Sequence, residues 1–223
     1  MDRFLDQFFN VEVMVKYLPD IIDGFWVTLL LAALVIVSGL ALGLVLAVIR
    51  AFQIRAVNIA IIVFIDLFRA LPPLVIIIVG FFGLPFAGIQ LSGFFISWLS
   101  LSFVLAAFAE EIFWAGITSV NKGQWEASRS TGLGFAETLF EVVLPQAVRM
   151  TIPPLTNRTI AITKNTALAS VVAVPEMLTV AQTSLAYAAN TSPLTLAAIG
   201  YLIIFFPLTI LSRRIETRFA WKR

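Results

Sequence analysis

The sequence predicts an all-α, polytopic integral membrane protein, and three observations carry that prediction. Of 223 residues, 60% are hydrophobic, only 13% are charged and 20 are Phe, a composition far from that of a soluble domain. The mean hydropathy is +0.99. Three runs, Phe25 to Ile49, Phe94 to Ala109 and Leu194 to Leu211, contain no charged residue.

Each run becomes a helix for the same reason. A backbone in hydrocarbon has no water to bond, so it satisfies its own N–H and C=O groups, and roughly 20 helical residues cross the core. The third run is short and needs a residue or two more. Two further apolar stretches are interrupted. Residues 56–83 contain Asp66, Arg69 and Pro72-Pro73, and residues 152–180 contain Pro153, Pro154, Arg158, Lys164 and Pro175. The prediction is about five spans in one transmembrane domain over residues 1–223, with the second and fourth broken.

Cations set the orientation. Arg50 and Arg55 follow the first span, Lys122, Arg129 and Arg149 the third, and Arg213, Arg214, Arg218, Lys222 and Arg223 the fifth. These segments, including loop 118–150 and tail 213–223, are expected in the cytoplasm. The acidic N-terminal segment 1–23 and the segments near 84–92 and 183–193 fall outside. Residues 1–23 show no short apolar core with a small-residue cleavage site, so no removable signal peptide is expected.

Cysteine and histidine are absent. That excludes a disulfide framework and a thiolate metal site, and removes the commonest proton shuttle and metal ligand. No metal site and no catalytic residue is predicted.

The longest polar interruption is GQWEASRSTGLG, residues 123–134, in the loop between the third and fourth spans. Helix formers with Trp125, Leu133, Phe135, Leu139 and Phe140 flank Gly132 and Gly134. Gly within a helix costs about 1 kcal/mol relative to Ala, so the pair predicts a turn between two short helices, the second ending at Pro145. Such a hairpin could lie in the headgroups. Its apolar residues are interleaved with Glu126, Arg129, Glu137 and Glu141, a mainly acidic face that matches an anionic leaflet poorly and favours a protein partner.

The spacing Glu126-Ala127-Ser128, three residues, Gly132, nine residues, Val142-x-Leu144-Pro145 resembles the signature loop of ABC importer permeases. The stretches SVNKGQWEASRSTGLG, LPQAVRMTIPPLTN and TKNTALASVVAVPE, with GFWVTL and FRALP, resemble the polar amino acid subgroup, relatives of histidine, glutamine and arginine permeases. The similarity runs from Gly24 to beyond Glu176.

The resemblance implies that the loop is a coupling helix docking on a separate cytoplasmic ATP-binding subunit. Gly123, Glu126, Ala127, Ser128, Gly132 and Pro145 are its expected coupling residues. Glu126 would face basic groups, Ala127 and Ser128 would permit close approach, and Gly132 would make the turn. The chain has no Gly-x-x-x-x-Gly-Lys-Ser/Thr loop, so ATP and its magnesium belong to the partner and this subunit is not itself an enzyme. Also implied are a second permease subunit, identical or related, a periplasmic or extracellular solute-binding protein, and a polar amino acid as solute. Lipid surrounds the chain, and no nucleic acid is expected.

Charges inside a membrane are costly and point to function. Asp66 and Arg69, spaced i, i+3, can neutralise each other, although Arg69 also precedes the diproline break. Glu110 and Glu111 are adjacent, about 100° apart on a helix, so at most one faces a pathway. Glu111 is similar in position to the family's Glu in Ala-Glu-x-x-Arg-Gly-Gly-Ile, and Trp114 stands where Arg is usual. Lys164, Asn165 and Thr166 occupy a region that relatives place beside the solute, with Asn where Asp is common. The expected solute contacts are Arg69, Glu110, Glu111, Lys164, Asn165 and Thr166. Lys164 has the alternative of pairing with Glu110, Glu111 or Glu176. An ion-coupled secondary carrier and a membrane scaffold are the competing functions; a carrier is expected to show internal repeats, and none is visible.

Overall fold

The computed structural model describes residues 2–219; Lys222 and Arg223 of the expected tail lie outside them. The described residues are helical with no strand. The elements are α1 (Asp2–Phe9), α2 (Val11–Ala51), α3 (Arg55–Ala70), α4 (Pro73–Gly83), α5 (Gly93–Ser119), α6 (Lys122–Ser130), α7 (Phe135–Glu137), α8 (Leu144–Thr163), α9 (Met177–Ala188) and α10 (Ser192–Phe219). A π-helical segment, Thr138–Val143, joins α7 to α8, and a 3₁₀ segment, Lys164–Val172, extends α8.

Three continuous helices, those ending at Ala51, Ser119 and Thr217, are long and apolar enough to cross a membrane. Two broken pairs bring the number to five. The first, α3 with α4, bends by 102°, and the second, α8 with α9, by 45°. The sharper break follows from its sequence. Leu71 and Pro72 are extended, at ψ 135°, and Pro73 starts α4 where a missing N–H removes no helical bond.

Close packing of α2 on α5 organises the core. Gly39, Gly43, Ala47 and Ala51 are all buried at intervals of four on α2, the small-residue stripe that lets membrane helices approach. A Cβ on Gly43 would sit 2.6 Å from Ala109 Cβ and 2.9 Å from the Ala106 carbonyl oxygen. Helix α5 is enclosed by α2, α3, α4 and α8, with Leu101, Val104, Leu105, Ala106 and Ala107 buried around it. Its apolar character on all sides reflects that central place.

The ends of the bundle are segregated. Asn190 Nδ2 donates to the Asp6 carbonyl at 2.9 Å, the Thr191 N–H to the Gln7 carbonyl at 3.0 Å, and the Asn10 N–H to Ser192 Oγ at 2.9 Å. The N-terminal segment therefore shares one end with the α9–α10 corner. At the other end, Phe52 and Trp125 both pack on Phe135, with ring centroids 5.5 Å apart in each pair.

One expectation is corrected here: the second helix of the loop does not end at Pro145. It continues through the π segment into α8. Proline lacks an N–H and its ring clashes with the preceding turn of an α-helix; the wider π turn just before Pro145 accommodates both. Gln146 Nε2 caps the Val142 carbonyl at 2.7 Å.

Candidate functional site

The polar hairpin is held by local hydrogen bonds at both ends of α6 and at the start of α7. The Asn121 carboxamide accepts the Gly123 N–H at 2.8 Å and starts α6. Ser130 and Thr131 close α6, and Gly132 follows at φ +97°. The Gly132 N–H bonds the Arg129 carbonyl at 3.1 Å and the Leu133 N–H the Ser128 carbonyl at 3.4 Å, the paired bonds of a Schellman turn. Glu137 then accepts the Gly134 N–H at 2.7 Å.

Helix α6 lies on the π segment. Trp125 stacks on Phe135 at an interplanar angle of 23°. Gly123, Glu126, Ala127 and Arg129 remain exposed, while Ser128 is buried, its hydroxyl donating to the Gln124 carbonyl at 2.7 Å. Ser128 is thus removed from the outward surface: it lies one turn from Trp125 and shares its inward face. Pro145 is exposed on α8 rather than on α6.

Glu110 and Glu111 diverge, as two adjacent helical positions must. Glu110 has no exposed side-chain surface, and Arg50 Nη1 donates to its two oxygens at 3.1 and 3.2 Å. The Arg50 guanidinium lies 4.7 Å over Trp114, so Trp114 supplies a π face beneath the pair. Glu110 is therefore sealed within the fold and closed to a solute. Glu111 is half exposed and pairs with Arg69 at 2.7 Å. Arg69 has that partner rather than Asp66, which sits exposed outside any ion pair among the described residues.

Lys164 joins neither group. It is exposed at the edge of a cavity of about 550 Å³ with Ala167, Ala198, Tyr201, Leu202 and Phe205. It pairs with none of Glu110, Glu111 or Glu176. Asn165 is half-buried, and Thr166 is fully buried with its hydroxyl donating to the Thr163 carbonyl at 2.9 Å. Thr166 completes a 3₁₀ turn instead of offering a free hydroxyl. The six expected solute contacts thus separate: Arg69 with Glu111, Lys164 near Asn165 at the α10 cavity, and Glu110 and Thr166 internal.

Arg158 and Glu176, both legible in the sequence as charges inside apolar segments, have partners that the sequence did not give. Arg158 places its guanidinium 3.9 Å from the centre of the Phe108 ring, with Arg69 5.4 Å from the same centre. Glu176, fully buried, caps α9 by accepting the Thr179 N–H at 2.7 Å and receives the Tyr201 hydroxyl at 2.5 Å. Beside it the Met177 N–H bonds Thr28 Oγ1 at 3.1 Å, tying α9 to α2. The residues were visible, but contacts 25 to 149 positions apart leave no local pattern.

A bundle of helices long and apolar enough to cross a membrane, with several exposed charges within them and a polar hairpin at one end, is the architecture of a membrane transport subunit. The chain belongs to the family of binding-protein-dependent transport system inner membrane components, whose pattern it matches over residues 39–221. It is 36% identical over 207 residues to the probable glutamine ABC transporter permease protein GlnP of Bacillus subtilis, covering 91% of this chain and 95% of that one. It is 35% identical to the L-cystine transport system permease protein TcyB of the same organism, covering 92% and 89%. A crystal structure of an amino acid ABC transporter with histidines superposes with a TM-score of 0.83 at 29% identity, covering 92% of this chain and 96% of that one. The inward-facing MetNI methionine ABC transporter, at 18% identity and a TM-score of 0.65 over 94% of this chain and 98% of that one, shares the fold.

Proposed function

We propose that this chain is the membrane-spanning permease subunit of an ATP-driven importer of a polar amino acid. The observation that carries the reading is the capped hairpin at α6, which presents Glu126 and Ala127 outward on an element packed on the π segment that leads into α8 and joined through Phe135 to Phe52 at the end of α2. A partner that closes on ATP moves a membrane subunit only through contacts that differ between its end states, made on an element stiff enough to transmit them. The Schellman turn and the Trp125–Phe135 stack supply that stiffness. ATP hydrolysis, with magnesium, resides in the cytoplasmic partner.

The relatives named as glutamine and cystine permeases support an amino acid as the solute. Arg69, Glu111, Arg158 and Lys164 are exposed on a single chain within apolar helices, and lipid is a poor cover for charge. A second permease subunit, identical or related, encloses them around a hydrated path, and a binding protein delivers the solute to the acidic N-terminal end. The distribution of Lys and Arg supports an orientation with α6 and the C-terminus in the cytoplasm of a bacterium and the N-terminus outside its inner membrane.

The test is ATPase activity in proteoliposomes of this chain with its ATP-binding subunit, using binding protein loaded with each of a panel of amino acids. Stimulation by one amino acid supports the reading and names the solute. Glu126→Arg is expected to abolish that stimulation while leaving membrane insertion intact. Wild-type stimulation in Glu126→Arg would remove the coupling role of α6, and flux without ATP that collapses with the proton gradient would make the protein a secondary carrier.

A further inference from the structure

The charges inside the bundle form two clusters of opposite design. In the first, Arg50, Glu110 and Trp114 make a neutral pair, with Glu110 fully buried and the Arg50 side chain 19% exposed. In the second, Arg69, Glu111, Phe108 and Arg158 bring together three charged helices' worth of side chains from α3, α5 and α8. This second cluster is neither sealed nor neutral. The side chains of Arg69 and Glu111 are 35% and 49% exposed, Arg158 is exposed, and Phe108 is half-buried.

Its charge does not balance. Glu111 Oε1 answers Arg69 at 2.7 Å, and among the described residues no carboxylate lies within 4.0 Å of Arg158. Both guanidiniums address one ring, which confines their carbons to within about 9 Å of each other. The cluster therefore carries a net charge of +1 in a region where an isolated charge is costly. Arg158 lies about 20 Å along α8 from Leu144, within the hydrocarbon depth.

A guanidinium whose carbon sits 3.9 Å over an aromatic face makes none of its N–H bonds to that ring's edge, and a guanidinium N–H pair matches a carboxylate through two parallel bonds. The geometry points to Arg158, positioned by Phe108, as the receptor for the α-carboxylate of the translocated amino acid. Glu111 stays tied to Arg69 through Oε1 and leaves Oε2 without a hydrogen-bond partner among the described residues for the solute's ammonium. The carboxylate that Arg158 lacks within the chain is then the solute's own. This assignment rests on the importer reading above and names the group on the solute that the chain recognises.

The test uses the detergent-purified complex of this chain with its ATP-binding subunit, without binding protein. It is titrated with each of the twenty L-amino acids and with the α-carboxamide of whichever binds best. The wild type is expected to favour the acid over its amide by about 10- to 100-fold, the range for loss of a charge-assisted bidentate contact. Arg158→Gln should bring the two within a few-fold of each other, and Arg158→Lys should fall between.

Phe108→Leu keeps the charge and nearly the volume while removing the π face. It should weaken acid binding several-fold without changing amide binding, and it decides the matter if Arg158→Gln does not assemble. Full acid preference in both Arg158→Gln and Phe108→Leu would overturn the assignment and leave the importer reading standing. A complex that loses its second permease subunit in Arg158→Gln, with acid preference unchanged in Phe108→Leu, would make Arg158 an interface residue and overturn it as well. A wild type that binds none of the twenty free amino acids would overturn the assignment, and one that in addition shows no ATPase stimulation by loaded binding protein would sink the importer reading itself.

Discussion

Replacing Glu110 with Gln asks whether the buried carboxylate holds the fold or serves the path. The substitution keeps shape and an acceptor while deleting the charge opposite Arg50, whose Nη1 sits 3.1 Å away. At an effective dielectric constant of about 20, unit charges at that distance attract by about 5 kcal/mol. Part of that survives: Gln still accepts a hydrogen bond, and the Trp114 ring 4.7 Å from the guanidinium is worth about 0.5–2 kcal/mol. Because breaking a buried pair from one side typically costs about 3–5 kcal/mol and Arg50 retains some access to solvent, the expected loss is about 2–4 kcal/mol. At about 2–4 °C per kcal/mol for a chain of this size, Tm should fall by roughly 4–16 °C. The assay is thermal unfolding of the detergent-purified complex, alongside ATP-driven uptake per folded complex. Arg50→Met with Glu110→Gln should recover part of the stability, since no charge is then left unpaired. A Tm within about 2 °C of wild type, equivalent to a loss of no more than about 1 kcal/mol, combined with abolished uptake, would refute the structural role and return Glu110 to the path.

Three further outcomes follow from single contacts. Tyr201→Phe removes the 2.5 Å hydrogen bond to fully buried Glu176, and should destabilise by about 1–3 kcal/mol; amide hydrogen exchange should rise across α9, and unchanged protection there would remove its role as a tie. Gly132→Ala places a Cβ at φ +97° with open space around it, so its effect is backbone strain of about 1 kcal/mol without a clash. Its ATPase stimulation by loaded binding protein should weaken while thermal stability of the spans is kept. Lys164→Ala deletes an exposed cation that forms no ion pair among the described residues; uptake should fall with assembly intact, and loss of the assembled complex would show a structural role instead.

Much of the architecture was legible because the membrane simplifies the problem. Uncharged runs of 16 to 25 residues announce helices without any need to know their neighbours. Pro72-Pro73 announced a break, and Gly132 with Gly134 announced the turn of the polar hairpin. Both are local backbone rules, and local rules survive folding. Pro145 was misread because a proline ends an α-helix but is accommodated after a π-helical turn, and the π segment Thr138–Val143, on which α6 packs, carries no local sequence signal that sets it apart from an α-helix.

The candidate site was legible in residue type but not in partnership. A charge within an apolar segment must find an answer, which the sequence states plainly; which answer it finds depends on distances across the bundle. By itself the sequence determined the helices, their breaks, the acidic and basic ends and the polar hairpin, because each follows from hydrophobicity, proline or glycine acting over a few residues. Only the tertiary structure decided that Arg50 seals Glu110, that Arg69 answers Glu111 across from α3 to α5, and that Arg158 lies on Phe108 with no carboxylate of its own. Those pairings go with the close approach of α2 to α5 at Gly39 and Gly43 and with the packing of α3 and α8 on α5, and a side chain's partner is fixed by where helices cross.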